Sequence, residues 1–344
     1  MKKLTQLELV AGVSLTGIIP FWNKRSKYYV PNINKILVSF YQIYKSKSLS
    51  LAVLLRRFRK ELKLPQTVEI YLDNGAFSFI KQNTFPPEKE YVKYVRRLNP
   101  SWYPVPADFI PHPKEDKETQ YEKFLKTMEF NRKYIDEGFV PVVHAGLFFE
   151  RFLEEIKKLN PNPQHLAIGG LVPHMLLSKN GSREVVINTL KVIRKEFPKT
   201  KIHIFGIGGI TSIYLLKLAR VDTFDSIGWR VRAAWGIIQI PTVGERQIVP
   251  KPEGQGWSIP YPTEEEREIL KRCQCPVCRK GKAHLLSEKS SEGFKARAVH
   301  NLYALQEELR IVNSFTKKEE LLFYIDNHIK SRPIKKLVER LVKD

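Results

Sequence analysis

Apolar and polar positions alternate in blocks along the chain. Short runs rich in β-branched and aromatic residues recur at 16–20, 68–72, 102–107, 140–144, 165–168, 201–205 and 224–227, with an eighth candidate at 236–240. Longer charged stretches separate them, with apolar residues at three- and four-residue spacing over 119–136, 148–159, 183–197 and 211–219. The first pattern predicts strands and the second amphipathic helices. Strand alternating with helix predicts parallel pairing, and eight such units predict an α/β fold, either a (β/α)8 TIM barrel or a doubly wound sheet. No Gly-x-Gly-x-x-Gly follows the first strand, and Gly206-Ile207-Gly208-Gly209 lacks that pattern, which favours the barrel over a dinucleotide-binding sheet.

The pattern changes after residue 262. Thr263-Glu264-Glu265-Glu266 reads as a capping box opening a helix to about residue 272. Thr316-Lys317-Lys318-Glu319 reads as another, and a last short helix is expected over 334–342. The Pro- and Gly-containing stretch 241–262 reads as a connecting loop. With the cluster Cys273, Cys275 and Cys278 falling after residue 262, the expected organisation is a basic N-terminal region and catalytic barrel at 1–262, a zinc-binding subdomain at 263–310 and C-terminal helices at 311–344. No apolar run approaches the roughly 18 residues a bilayer span needs. Gln6 and Glu8 interrupt any signal-peptide core, so a cytoplasmic location is expected.

Only three cysteines occur, all inside Cys273-Gln274-Cys275-Pro276-Val277-Cys278. An odd, clustered set argues against a disulfide framework and for a metal. Three thiolates and one imidazole make a closed tetrahedral Zn²⁺ site, which leaves no open position for water. His284 and His300 are the candidates for the fourth ligand. His300 is preferred, because it opens an apolar-periodic helix that would present its ring rigidly. The zinc is expected to hold the fold rather than perform chemistry.

Charge adds a second theme. The chain carries 58 Lys and Arg against 36 Asp and Glu, a net charge of +22. Residues 1–70 alone hold 13 basic and 3 acidic side chains, and residues 271–300 hold 8 and 2. Such an excess suits a phosphate backbone; solubility or a thermophile's lysine-rich habit is the plainer reading. Aromatic residues interleave with the cations in Phe21-Trp22-Asn23-Lys24-Arg25 and Lys27-Tyr28-Tyr29.

In a barrel, chemistry sits at the C-terminal ends of the strands. There the sequence places Asp73-Asn74-Gly75-Ala76-Phe77, then Asp108, His144-Ala145-Gly146, Gly169-Gly170-Leu171, Gly206-Ile207-Gly208 and Phe224-Asp225-Ser226. Singly, each acid could cap a helix or a turn and His144 could be an interior histidine. Three carboxylates at three strand ends fit caps poorly. Carboxylates suit a reaction at an anomeric carbon: one attacks C1′, a second moves a proton to and from the leaving base, and a third accepts from the base's N–H edge.

These motifs, in this order, resemble the tRNA-guanine transglycosylase superfamily. Asp73-Asn74-Gly75-Ala76-Phe77 resembles its Asp-Ser-Gly-Gly-Phe. Ala167-Ile168-Gly169-Gly170-Leu171 resembles its Gly-Gly-Leu strand, and Phe205-Gly206-Ile207-Gly208 its Gly-Ile-Gly turn. Asp222-Thr223-Phe224-Asp225-Ser226 resembles the segment with the nucleophile, and the cysteines followed by His300-Asn301-Leu302 its zinc site. The resemblance implies that Asp225 is a covalent nucleophile and Asp73 the general acid/base. It implies that Phe77 stacks on the base, which Asp108, His144, Gly169, Gly170, Leu171 and Gly206 surround. It implies exchange of guanine in a polynucleotide for a free 7-deazaguanine, with structural Zn²⁺ as the one cofactor and with a homodimer or helper proteins among the partners. The chain departs from the tRNA-acting pattern at His144-Ala145-Gly146 and over 227–236. Those departures resemble the divergent branch that modifies DNA, so DNA is favoured over tRNA. Trp229, Arg230 and Arg232, beside the nucleophile, are then expected to contact the nucleic acid. Trp229 and Trp235 could equally pack the barrel.

Overall fold

The computed structural model describes residues 3–176, 182–210, 212–250 and 259–343. Its centre is a parallel sheet of seven strands: β1 (Glu8–Gly12), β2 (Lys35–Ser39), β3 (Glu69–Asp73), β4 (Val142–His144), β5 (His165–Gly169), β6 (Lys201–Ile204) and β7 (Thr223–Ser226). They lie in the order β3-β2-β1-β7-β6-β5-β4. The two free edges meet through residues 102–105. Trp102 bridges to Tyr71 in the middle of β3, and Pro104 bridges to Val140 before β4, both in parallel sense. Backbone bonds complete the seam, Leu72 N–H to Trp102 C=O at 2.9 Å and Val105 N–H to Val140 C=O at 3.0 Å. The curled sheet thus closes with 102–104 as its eighth staff, as the (β/α)8 reading expects.

Helices flank the strands and cover the outer face, so β4 to β7 are almost wholly buried on both sides. The intervening helices are amphipathic. Phe149–Leu159 buries Phe149, Phe152, Leu153 and Ile156 and turns its acids and lysines outward. Inside the barrel, Tyr71 and Trp102 stack with centroids 5.1 Å apart, and His203 of β6 lies 4.7 Å from the Trp102 ring.

Two strand expectations are corrected. Residues 16–20 form a bend rather than the first strand, because Gly17 takes φ +61° and the chain turns there. The first two staves are instead Glu8–Gly12 and Lys35–Ser39. The 236–240 run also leaves the barrel: β8 (Ile237–Ile240) pairs antiparallel with β9 (Gly244–Gln247) in a separate hairpin. Of the expected loop 241–262, β9 occupies part, and residues 251–258 lie outside the described residues, as does Thr211 at the start of the 211–219 helix.

The C-terminal part is helical. Glu264–Lys271 opens on the expected capping box, with Thr263 and Glu266 each accepting from the other's backbone N–H. The second expected box is absent: helix Lys318–His328 begins at Lys317 without a side-chain cap. The long helix Ser291–Ser314 lies against the barrel. Its buried Asn301 donates to the carbonyls of Trp229 and Ile237 and accepts from Gln239 N–H. Among the described residues, no helix is long and apolar enough to cross a membrane.

Candidate active site and metal centre

The C-terminal ends of the strands converge on three carboxylates. Asp73 ends β3, Asp225 sits one residue before the end of β7, and β1 and β2 lie between them with Val10 opposite Asp225 and Ser39 opposite Asp73. Asp108 follows the eighth staff and is buried. Asp73 is pushed up to about 7, first by burial and then by the negative charges of Asp108 and Asp225; the Gly75 N–H, 3.0 Å from Oδ2, partly opposes this. Three acids that repel one another keep one of them protonated near neutrality, the condition a general acid requires.

Each of the other two acids is held by its own partners. Asp108 Oδ1 accepts from Asn74 Nδ2 at 2.7 Å, and its Oδ2 lies 3.1 Å from His144 Nε2. Asn74 therefore braces the Asp108 carboxylate and also donates to the Val105 carbonyl. Asp225 Oδ1 accepts from the Gly206 N–H at 2.9 Å. His203, which the sequence reading passed over, places Nε2 at 3.5 Å from the same oxygen. Among the described residues, no lysine or arginine forms an ion pair with any of the three acids; their two basic neighbours are both histidines.

Glycines shape the space between. Gly206 holds φ +73°, a backbone that aims its N–H at Asp225 and that a side chain would strain. A Cβ on Gly169 would lie 2.7 Å from His144 Nδ1, so His144 packs against bare backbone. Leu171 is fully buried behind the Gly169-Gly170 turn. Phe77 is 61% exposed, with Lys81 Nζ 4.2 Å from its ring centroid.

The residues expected on nucleic acid fare differently. Trp229 is 2% exposed and packs edge-on against Phe21, so its ring is core and not a stacking platform. Arg230 spends both terminal nitrogens on the carbonyls of Thr16 and Gly17, and Arg232 pairs with Glu245. These two arginines tie loops together. Phe21, Trp22 and Tyr28 are buried as well, while Lys24, Arg25 and Lys27 between them face solvent. The N-terminal cations are therefore presented to solvent, and most of the rings beside them hold the fold.

Away from the rim, Cys273, Cys275, Cys278 and His300 place their donor atoms within 4.8 Å of one another. His300 Nδ1 faces Cys273 Sγ at 3.6 Å and Cys278 Sγ at 3.7 Å. Its Nε2 lies 3.0 Å from the Gln239 carbonyl. A carbonyl only accepts, so the proton sits on Nε2 and the Nδ1 lone pair points at the sulfurs. That donor set, buried and closed, fits a metal ion. His300 lies in the middle of helix Ser291–Ser314 rather than at its start, and exposed His284 is not part of the cluster.

Comparison with known proteins identifies a family and several relatives. The family model for queuine tRNA-ribosyltransferase matches residues 70–333. The tRNA-guanine(15) transglycosylase of Pyrococcus furiosus is 26% identical over 310 residues, 87% of this chain and 48% of that protein. The queuine tRNA-ribosyltransferase of Chlamydia pneumoniae is 26% identical over 203 residues, 57% of this chain and 50% of that one. The chain spans about half the length of these relatives. With the family model covering most of its length, from β3 with its Asp73 to the start of the last helix, the chain belongs to the queuine tRNA-ribosyltransferase family.

Proposed function

We propose that this chain is a pentosyltransferase that exchanges a guanine in a polynucleotide for a free 7-deazaguanine. The observation that carries the proposal is the carboxylate trio on one rim, with Asp73 held protonated near neutrality beside Asp225. Asp225 attacks C1′ of the nucleotide as the C1′–N9 bond breaks, and Asp73 gives its proton to the departing guanine. The incoming 7-deazaguanine returns a proton from N9 to Asp73, and its N9 displaces Asp225 from C1′. Asp108, braced by Asn74 and His144, accepts from the amino and imino edge of either base. Phe77 lies over the base plane, and the Gly169-Gly170-Leu171 turn supplies backbone contacts. Cys273, Cys275, Cys278 and His300 would hold Zn²⁺, which would supply cross-linking of the C-terminal part and no step of the exchange.

Two substrates are carried by different observations. The departures at 144–146 and 227–236 favour DNA. The names of the relatives favour tRNA, and the burial of Trp229 removes one feature offered for DNA, so tRNA stands at least level. Labelled guanine exchange into tRNA, single-stranded DNA and duplex DNA separates them: exchange confined to tRNA would sink the DNA reading. Asp225→Ala should abolish exchange and any denaturant-stable adduct between protein and nucleic acid. Full activity in that variant would overturn the mechanism.

A further inference from the structure

The geometry points to His203 as the positioning residue that fixes which oxygen of Asp225 attacks. The inference rests on the transglycosylase reading for its consequence in catalysis, but the contact itself can be tested without it. His203 stands on β6 inside the barrel and is 1% exposed. Its Nδ1 lies 2.9 Å from Thr223 Oγ1, and its Nε2 has no hydrogen-bond partner but sits 3.5 Å from Asp225 Oδ1. Three rings, Tyr71, Trp102 and Phe205, surround the imidazole with centroids 4.7–5.9 Å away and keep water off it.

One tautomer suits these neighbours. A carboxylate only accepts, whereas the Thr223 hydroxyl can donate or accept. With Thr223 donating to Nδ1, the ring proton sits on Nε2 and faces Asp225. The opposite tautomer would turn a lone pair toward the carboxylate in a closed, low-dielectric place. Gly206 N–H and His203 Nε2–H then both approach Oδ1. Oδ1 is the held oxygen, and Oδ2 is left to form the bond to C1′. The 3.5 Å separation is long for a hydrogen bond, so the contact acts as a charge–dipole attraction between the ring N–H and the carboxylate.

Two variants test this. His203→Phe keeps an aromatic ring in the ring cage and removes the donor. His203→Gln puts an amide N–H near the position of Nε2. The expected result is a kcat for exchange lowered by roughly a hundredfold in His203→Phe, little change in KM for the incoming base, and recovery of most of the rate in His203→Gln. A wild-type rate in His203→Phe, or equal loss in both variants with unchanged melting, would overturn the assignment. A second measurement is independent of activity. In protein labelled with ¹⁵N-histidine, long-range proton–nitrogen spectra should show His203 protonated at Nε2, with that resonance moving in Asp225→Asn. Protonation at Nδ1 would overturn the inference even if exchange proceeds. An Nε2 proton in a protein that exchanges no base would uphold the contact and refute the transglycosylase reading instead.

Discussion

At the scale of single residues, Asp73 links the proposed proton transfer to stability. Its carboxyl moves from an ordinary 3.8 to about 7 because burial and two neighbouring acids oppose its charge. The folded protein therefore keeps a proton that the unfolded chain gives up. That contribution to stability is fully present below the ordinary carboxylate value and is lost as pH rises through about 7. Asp73→Asn removes the buried charge, so it should melt higher than wild type at about pH 8, with the gap shrinking toward about pH 5, while losing exchange activity. Thermal melts across that range check it, and a gap independent of pH would mean that Asp73 ionises normally. The acids themselves were readable in the sequence because each follows an apolar run. His203 was not, since Lys201-Ile202-His203-Ile204 shows one polar residue inside a strand and gives no sign that it reaches Asp225 on the neighbouring strand. Trp229 was ambiguous for the converse reason: a large ring beside arginines looks the same whether it stacks outward or packs inward.

At the scale of elements, the middle strands were legible and the first two were not. Runs such as Val142–His144 and His165–Gly169 are bounded by helices with clear periodicity. The segment from Leu7 to Ile19 is nearly continuous in apolar residues, so composition does not mark where β1 stops; the Gly17 bend does. The hairpin β8–β9 imitated an eighth staff because Ile237–Ile240 is fully buried, although by the C-terminal helix rather than by the barrel. Strand ends also carry an element-scale test. Gly169 closes β5 against His144 at the end of β4, in register. Gly169→Ala would place a methyl 2.7 Å from His144 Nδ1. The ring must shift, and with it the brace on Asp108. The expected outcome is a KM for the incoming base raised about tenfold or more and a loss of about 1–3 kcal/mol in stability. Steady-state kinetics and denaturant melts measure both, and an unchanged KM would remove Asp108 from base binding.

At the scale of the whole molecule, helix Ser291–Ser314 connects the Cys₃His cluster to the strand that carries Asp225. Helix Ser291–Ser314 carries His300 of the Cys₃His cluster and Asn301, which bonds the segment following β7. Near its end, Asn313 accepts from Leu7 N–H and donates to the Leu7 carbonyl, just before β1. Strand β1 in turn pairs with β7, with Val10 opposite Asp225. A metal held by the three cysteines before this helix and by His300 within it would therefore support the strand that carries Asp225 without touching the substrate. Removing it leaves thiolates and an imidazole crowded together with nothing to bind. Hydrogen exchange after chelation should consequently lose protection first over 265–310 and later at β1 and β7, with β4 and β5 last. Exchange activity should fall in step with the β1 and β7 signal and return when Zn²⁺ is restored. Activity lost at once, with 265–310 still protected, would place the metal in the chemistry and contradict a purely structural role.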